Sequence, residues 1–404
     1  MIHTKRLFRF PLAVLLFAQI ISALPVDMGS LLSALWFLWI IMGSYFAIII
    51  CTERRSLKNN SFALLLLFFW LINAISFYIS PKHVQSLFVE VDTLVIIKSI
   101  TIALYTYFPF YYYSKKGVID NNNLKVFVIL LFVTSVMNIF YGSIIQSKET
   151  LEKNNILNQA YLFVQLIPLF MIYFKRTVLY TLVALSIILV LWSSKRGAIL
   201  CVTVELLVLL IYLLREDPYG KKHRGAILFL SFVLLLGVFY FIQGNVFLQD
   251  RLINTGTDYD KSGDIRSERY LMLYTVFFNF SSVGEILFGH GFAQTVSLGE
   301  GLAHQDWAEL LIDNGVLGFI IYIVLISICI KNIFRRNKFI SKDVKYALVC
   351  CITNWLLMAT YSMVYTSRGA FVMFLTIGVI NGLMQKEKGT AFIQQSHLKQ
   401  IKYD

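Results

Sequence analysis

Several arginines of this 404-residue chain lie directly beside long apolar runs, where a permanent positive charge is costly and therefore informative. Arg196 follows Lys195 in "SSKRGAIL", and Arg368 precedes a similar run in "TSRGAFVM". Arg266 and Arg269 lie three positions apart in "DIRSERYLM", so they share a face if this segment is helical. A guanidinium group presents a planar fork of donors that suits phosphate, and these residues therefore predict a phosphate-binding site. A headgroup anchor is the alternative for Arg196, and a solvated helix end is the alternative for the other pair.

His304 is the candidate for proton transfer. In "AHQDWAELLIDNG" the positions three, four and seven residues after it are apolar, and Asn314 with Gly315 is typical of a helix end. This spacing predicts that His304 stands in the first turn of a short helix. The positive end of the helix dipole keeps an imidazole neutral there and able to accept a proton. A purely structural histidine is the alternative interpretation.

Two further patterns are considered and set aside. The stretch "DYDKSGDIRSER", 258–269, begins like a calcium loop, but Arg269 occupies the last position, where a bidentate glutamate is required. His290 lies between glycines in "FGHGF", which predicts a tight turn whose backbone matters more than the imidazole. The five cysteines all lie in or beside apolar runs and indicate no disulfide framework. We therefore predict no metal site and no cofactor.

Membrane helices must position these side chains, because the chain is 58% hydrophobic and 15% aromatic. A water-soluble core needs far less apolar surface. An apolar run that crosses about 30 Å of hydrocarbon must satisfy its backbone internally and is therefore a helix. The predicted fold class is all-α and polytopic, with about twelve transmembrane helices. The candidate spans are 10–25, 30–50, 61–80, 94–113, 124–146, 157–174, 177–193, 197–214, 225–243, 315–334, 344–365 and 369–385.

The distribution of basic residues predicts the orientation of these spans. If Met1 is cytoplasmic, most of the 36 lysines and arginines fall in cytoplasmic segments, as the positive-inside trend requires. Both termini are then cytoplasmic, and the basic, apolar N-terminus is expected to be an uncleaved anchor and not a cleaved signal. The net charge of +13 is explained by topology, so no nucleic-acid partner is predicted.

The same orientation divides the chain into three parts. Residues 1–243 hold helices 1–9, and residues 315–404 hold helices 10–12 and a cytoplasmic tail. Residues 244–314 form one long extracytoplasmic loop between helices 9 and 10, in which "ERYLMLYTVFFNF" predicts a helix on or dipping into the membrane. Loops of this length are usually functional or disordered. All of the candidate site residues fall on the extracytoplasmic side.

The order of these motifs resembles the bacterial O-antigen ligase and O-antigen or capsular polysaccharide polymerase superfamily. The resemblance rests on "SSKRGAIL", then "SERYLMLYTVF", "ILFGHGF" and "AHQDWAELLIDNGVLGF", preceded by "NNILNQAYLFVQLIPLF" at 154–170. It covers roughly residues 154–320.

This resemblance implies a glycosyltransferase of the bacterial inner membrane whose active site is extracytoplasmic. The donor would be an oligosaccharide on undecaprenyl pyrophosphate, and the acceptor would be a sugar hydroxyl. Arg196 and Arg269 would bind the pyrophosphate, and His304 would activate the hydroxyl, without a metal and with inversion at the anomeric carbon. Topology alone, and not a family motif, makes Arg266 and Arg368 expected helpers in binding the pyrophosphate, and Lys195 is expected to help because it lies beside Arg196. Membrane lipids and a chain-length regulator are the other expected partners.

Three functions remain open at this point. A repeat-unit polymerase is preferred, because such enzymes tolerate departures from the family motifs like the one here, where Gln305 follows His304 in place of the common asparagine. An O-antigen ligase, which transfers the glycan to lipid A-core, uses the same chemistry. A lipid-linked glycan flippase is the alternative of another class, and it should place ionisable residues within several spans. Only Lys98 and Glu205 lie well inside candidate spans, which favours an enzyme.

Overall fold

The computed structural model describes residues 10–23, 28–53, 60–85, 90–118, 121–150, 158–244, 264–299, 305–334, 340–365, 367 and 369–400. The described chain is almost entirely helical. Its helices are α1 (Phe10–Ala23), α2 (Gly29–Thr52), α3 (Ser61–Ile79), α4 (Thr93–Lys116), α5 (Asn121–Thr150), α6 (Ala160–Tyr173), α7 (Arg176–Trp192), α8 (Arg196–Arg215), α9 (Pro218–Lys222), α10 (Arg224–Gly244), α11 (Asp264–Phe280), α12 (Val283–Phe288), α13 (Gln294–Gly299), α14 (Asp306–Phe334), α15 (Lys342–Tyr361) and α16 (Ala370–Gln400). Two three-residue strands, β1 (His83–Gln85) and β2 (Glu90–Asp92), pair antiparallel.

A helix occupies each of the twelve predicted spans, so the all-α prediction is confirmed. Among the described residues, seven helices are long and apolar enough to cross a membrane, namely α2, α3, α4, α5, α8, α14 and α15. The helices α1, α6 and α7 and the part of α10 from Arg224 to Tyr240 are apolar but shorter. The protein is therefore an all-α polytopic membrane protein.

The long helices α4 and α16 pack closely along their lengths. A Cβ atom added to Gly378 of α16 would lie 2.6 Å from the carbonyl oxygen of Tyr107 in α4. One added to Gly382 would lie 2.5 Å from the carbonyl oxygen of Tyr111. Because glycine has no side chain, the two backbones can approach at this spacing of four residues, as in many membrane helix pairs.

Indole groups, fully buried for Trp39 and partly buried for Trp70, attach two further helices to α4. The Nε1–H of Trp39 in α2 donates to Thr106 Oγ1 over 2.8 Å, and that of Trp70 in α3 donates to Thr101 Oγ1 over 3.1 Å. A buried indole N–H needs such a partner, and lipid offers none. These hydrogen bonds therefore help to hold α2 and α3 against α4.

Ion pairs join several helix ends on the side that the charge distribution assigns to the cytoplasm. Glu53, directly after α2, lies 3.3 Å from Lys115 Nζ and 2.8 Å from Lys116 Nζ at the end of α4. The hydrogen bond from Lys116 lowers the pKa of the Glu53 carboxyl below its usual range. At the start of α7, Arg176 lies 2.7 Å from Asp217.

The helices α11, α12 and α13 lie between α10 and α14, so the segment expected as a long loop contains the predicted short helices. The helix predicted for "ERYLMLYTVFFNF" is confirmed as part of α11; its position relative to the membrane stays a prediction. The predicted helix end is also confirmed, because Gly315 has φ 65° and ψ −172° and divides α14 into 306–314 and 316–334. The first part begins at Asp306, later than expected.

Candidate functional site

A cavity of about 630 Å³ lies among helices α1, α2, α4, α5, α6 and the start of α16. This volume is typical of small-molecule sites. Eleven of its nineteen lining residues have polar side chains. The polar lining residues are Gln19, Ser22, Ser33, Lys98, Ser99, Asn138, Asn158, Gln159, Tyr161, Gln165 and Ser367. The remainder of the wall is largely apolar and includes Trp36 and Phe371.

The motif segment 154–170 supplies one wall of this cavity. Asn158 and Gln159 precede α6, and Tyr161 and Gln165 lie in its first two turns. The Nε2 group of Gln165 contacts Met358 Sδ at 3.4 Å, while its buried Oε1 has no hydrogen-bond partner in the described part of the chain. Buried amide oxygens are nearly always satisfied, so Gln165 Oε1 has the capacity to accept a bond from a guest molecule.

Arg196 is the first residue of α8 and is exposed. The turn before it is tight, with Ser194 in a left-handed conformation at φ 52° and the Lys195 amide 3.3 Å from Ser193 Oγ. The Nζ atom of Lys195 lies 5.9 Å from the ring centroid of Tyr161. Because Tyr161 lines the cavity, this turn brings the Lys195 ammonium group close to the cavity wall.

Gly197 explains why α8 starts so close to the cavity. A Cβ atom at Gly197 would overlap the Tyr161 hydroxyl, and it would lie 3.2 Å from Tyr161 Cζ and 3.4 Å from Tyr361 Cβ. A side chain at this position would have to displace the Tyr161 hydroxyl. The beginning of α8 is therefore pressed against both α6 and the end of α15.

The segment that follows His304 reaches the same end of α15. The indole N–H of Trp307 donates to Thr360 Oγ1 over 3.1 Å. The carboxylate of Asp306 accepts hydrogen bonds from the Val364 amide at 2.7 Å and from the hydroxyl of Tyr322. His304 itself lies outside the described residues.

Three buried carboxylates line one side of the first part of α14, at the i, i+3 and i+7 positions Asp306, Glu309 and Asp313. Glu309 accepts a bond from Thr295 Oγ1 at 2.7 Å, and Asp313 accepts one from the Tyr365 hydroxyl at 2.7 Å. Sequence reasoning assigned no role to these acids, although their helical spacing was visible. Their partners indicate that they fasten the 364–365 segment and α13 to α14.

The glycine turn predicted for "FGHGF" is confirmed, since Gly289 and Gly291 have φ values of 84° and 94°. The turn closes the end of the first part of α14. The His290 amide donates to the Ile312 carbonyl over 2.8 Å, and the Gly291 amide donates to the Asp313 carbonyl over 3.2 Å. Carbonyl groups at a helix end need such partners, so the turn allows α14 to break at Gly315.

Both ring nitrogens of the His290 imidazole contact neighbouring side chains. Its Nε2 lies 2.7 Å from Ser281 Oγ, and its Nδ1 lies 3.5 Å from Glu285 Oε1. The backbone N–H of Ser282 donates to Glu285 in a capping box and lowers the pKa of that carboxyl. These contacts favour the structural interpretation of His290.

The helix that carries Arg266 and Arg269 packs on the helix that follows His304. Leu273 and Phe277 of α11 form one apolar cluster with residues of α14. The cluster members from α14 are Ala308, Leu311 and Ile312. Arg269 precedes Leu273 by one helical turn, although its side chain and that of Arg266 lie outside the described residues.

The remaining candidates, Arg368 and the rejected calcium loop, lie partly or wholly outside the described residues. Arg368 is not described, but its neighbours Ser367 and Gly369 both line the cavity. The stretch 258–263 of the rejected calcium loop also lies outside the described residues. Within the described residues, no group of three or more His, Cys, Asp and Glu side chains is arranged to hold a metal ion. The expectation of a site without metal stays a prediction.

These elements define a polytopic helical membrane protein that has a broken helix, α14, and a cavity with many polar lining side chains. The family model described as O-antigen ligase matches residues 181–323, which confirms the resemblance to the O-antigen ligase and polymerase superfamily. The matched region contains Arg196, Arg266, Arg269 and His304. No curated protein matches the chain.

Proposed function

We propose that the protein is a polymerase of surface-polysaccharide repeat units. It transfers a glycan from undecaprenyl pyrophosphate to a sugar hydroxyl on the extracytoplasmic face of the bacterial plasma membrane. The family match supports glycan transfer as the class of reaction. The packing of Tyr161 against Gly197 is the main support for this site, because Gly197 follows Arg196 and Tyr161 lines the cavity.

The chemistry requires a leaving group, a nucleophile and a proton acceptor. The bond from the anomeric carbon to the pyrophosphate oxygen breaks, and the pyrophosphate keeps the electron pair. Arg196 and Arg269 stabilise this growing negative charge. The acceptor oxygen forms the new bond from the opposite side, which inverts the anomeric carbon, and its proton passes to His304.

Lys195, Arg266 and Arg368 add positive charge around the same leaving group. The contact of Trp307 with Thr360 supports a position for His304 near Arg196, since Tyr361 packs on Gly197. Two guanidinium groups supply the charge that a divalent metal would otherwise provide.

The membrane orientation is supported by the origin of the cavity walls. The lining residues come from the last turn or two of α1, the starts of α2, α4, α6 and α16, and the later half of α5. These are the helix portions that the positive-inside trend assigns to the extracytoplasmic side. A cavity assembled from them suits a substrate presented on that side.

An O-antigen ligase is the second candidate, and the description of the matching family favours it. The two enzymes use the same donor and differ in the acceptor. A lipid-linked repeat unit would be the acceptor of a polymerase, and lipid A-core would be the acceptor of a ligase. A flippase remains the candidate from another class, since Lys98 lines the cavity.

Purified protein in detergent separates the three functions. A polymerase given lipid-linked repeat units alone produces a ladder of longer chains. A ligase produces product only when lipid A-core is added, and a flippase produces none in either case. We expect the ladder, and we expect it to persist after treatment with EDTA. A strict requirement for a divalent cation would redirect attention to the acidic run 258–264.

A further inference from the structure

We propose that Tyr161 is a positioning residue for the arginine that binds phosphate in the site. Its ring and hydroxyl, packed against Gly197, hold the first turn of α8 in the place from which Arg196 binds the pyrophosphate. This inference rests on the proposed function for its substrate class. It assigns a role to the start of α6, which lies outside the region 181–323 that matches the family.

Two identical segments of the chain show what is particular to the start of α8. The sequence "RGAIL" begins α8 at Arg196, and it also begins α10 at Arg224. A Cβ atom added to Gly225 of α10 would meet no atom within 4 Å. One added to Gly197 of α8 would overlap the Tyr161 hydroxyl. The close contact is therefore a property of the tertiary structure around α8 and not of the local sequence.

Tyr161 can fix the position of this turn because the tyrosine is itself held in place. It lies in the first turn of α6, and its side chain is only 5% exposed. A buried aromatic ring in a closely packed interior has little room to give way. On its other side Gly197 faces Tyr361 of α15, whose Cβ atom would lie 3.4 Å from an added Cβ. Contacts with two helices therefore fix the backbone of α8 directly after Arg196.

The same ring also contacts the residue before the arginine. The Nζ atom of Lys195 lies 5.9 Å from the ring centroid of Tyr161, which is within the range of a cation–π interaction. Ser194, one position earlier, has φ 52° although it is not glycine. Conformations of this kind persist only where the surrounding structure holds them, and they cluster at functional sites. Tyr161 provides such support, because it contacts the chain on both sides of Arg196.

The next residue of α6 contacts a second arginine–glycine pair. A Cβ atom added to Gly369, which follows Arg368 in sequence, would lie 3.3 Å from Leu162 Cδ2. Tyr161 and Leu162 both line the cavity. The first turn of α6 is thus a common contact for the glycines of the two pairs that the positive-inside trend assigns to the extracytoplasmic side.

The test measures equilibrium binding of undecaprenyl pyrophosphate without sugar to the full-length protein in lipid nanodiscs, independently of glycan transfer. The single variants are Gly197→Ala, Tyr161→Phe and Arg196→Ala, and two double variants combine Gly197→Ala with each of the others. Gly225→Ala is the matched control, because it makes the same change in the same sequence where no atom lies within 4 Å. A thermal unfolding midpoint for each variant verifies that it is folded.

We expect Gly197→Ala to bind the probe at least about tenfold more weakly, because the methyl group displaces the turn and breaks a hydrogen bond between Arg196 and a phosphate. Gly225→Ala should bind the probe as the native protein does. The loss caused by Gly197→Ala should largely disappear when it is measured against Tyr161→Phe, since the hydroxyl that the methyl group would overlap is then absent. The loss should also disappear against Arg196→Ala, because the glycine acts through that arginine. A merely structural defect would instead add to the effect of Arg196→Ala.

Three results would each overturn the inference. The first is binding to a folded Gly197→Ala variant that is as tight as binding to the native protein. The second is a loss of the same size with and without the Tyr161 hydroxyl, and the third is an undiminished loss in the Arg196→Ala background.

The same measurements separate this inference from the proposed function. Absence of chain extension by the native protein, together with binding that depends on Gly197 and Arg196 as expected, would contradict the proposed function alone. Failure of the native protein to bind the probe would overturn both. If Gly197→Ala does not fold, Tyr161→Leu replaces it, and it should weaken binding in the native background but not in the Arg196→Ala background.

Discussion

The indole N–H of Trp307 donates a hydrogen bond to the hydroxyl of Thr360 over 3.1 Å. The next residue, Tyr361, packs against Gly197, which follows Arg196. The segment after His304 and the helix that starts with Arg196 therefore meet at one end of α15. Residues 108 positions apart in sequence are thus expected to serve one site, and the predictions below depend on this relationship.

Replacement of His304 by alanine should abolish polymer formation without reducing expression or membrane insertion. The substitution removes a proton acceptor, whose contribution is typically about 10² to 10⁴ in rate. Arg269→Ala should have the same effect, because it removes charge that stabilises the leaving group. The measurement is the ladder of long-chain glycan from cells that express each variant. His83→Ala, in the exposed strand β1, is the matched histidine control and should leave the ladder intact. A normal ladder from His304→Ala cells would refute the catalytic assignment.

Arg196→Lys should also be severely impaired, although it keeps the charge. A lysine ammonium group is a point charge and cannot reproduce the two-pronged contact of a guanidinium group with pyrophosphate. Arg215→Lys changes the other end of α8 in the same way and should retain near-normal activity. Initial rates of chain extension in detergent measure both variants. Equal rates for Arg196→Lys and native protein would favour the headgroup-anchor interpretation.

Asp306→Ala should destabilise the protein. The substitution removes the buried acceptor of the Val364 amide and the Tyr322 hydroxyl. Each buried donor that loses its acceptor lowers the free energy of unfolding by about 1–3 kcal/mol. Thermal unfolding in detergent should show a lower midpoint. Glu90→Ala removes an exposed carboxylate 3.8 Å from His83 and should leave the midpoint almost unchanged. Equal midpoints for the two variants would show that Asp306 does not hold the 364–365 segment.

Gly315→Ala should disrupt the break in α14. The residue has φ 65°, and a Cβ atom there would lie 2.5 Å from the Gly289 amide nitrogen, so strain and overlap act together. We expect loss of activity and a lower thermal unfolding midpoint. The free energy of unfolding should fall by at least about 1 kcal/mol. Gly284→Ala is the control, since the nearest atom to its added Cβ is Ser282 Oγ at 4.0 Å. That variant should be as stable as the native protein or slightly more stable.

The architecture was predictable because the bilayer leaves few alternatives. An apolar run of span length has to be a helix, and each predicted span is one. Local chemistry also predicted the turn around His290 and the break at Gly315, since both depend on glycine conformations within a few residues. The motif order was sufficient to indicate the superfamily.

The site required long-range information. The spacing of Asp306, Glu309 and Asp313 was visible as a stripe, but their partners come from α13, α14 and the 364–365 segment, and no local pattern identifies them. Lys98 was noticed as a charge within a span. Only its contact with Ser33 shows that it faces a cavity.

Sequence alone thus determined the helices, the breaks and the types of residue available for chemistry, because these depend on hydrophobicity, charge and glycine at neighbouring positions. Tertiary structure alone decided which helix ends meet and that a polar cavity lies between them. The physical reason is packing: glycines at 197, 378 and 382 allow close approach only to the particular helix that arrives opposite them. That choice depends on the whole bundle and cannot be made one segment at a time.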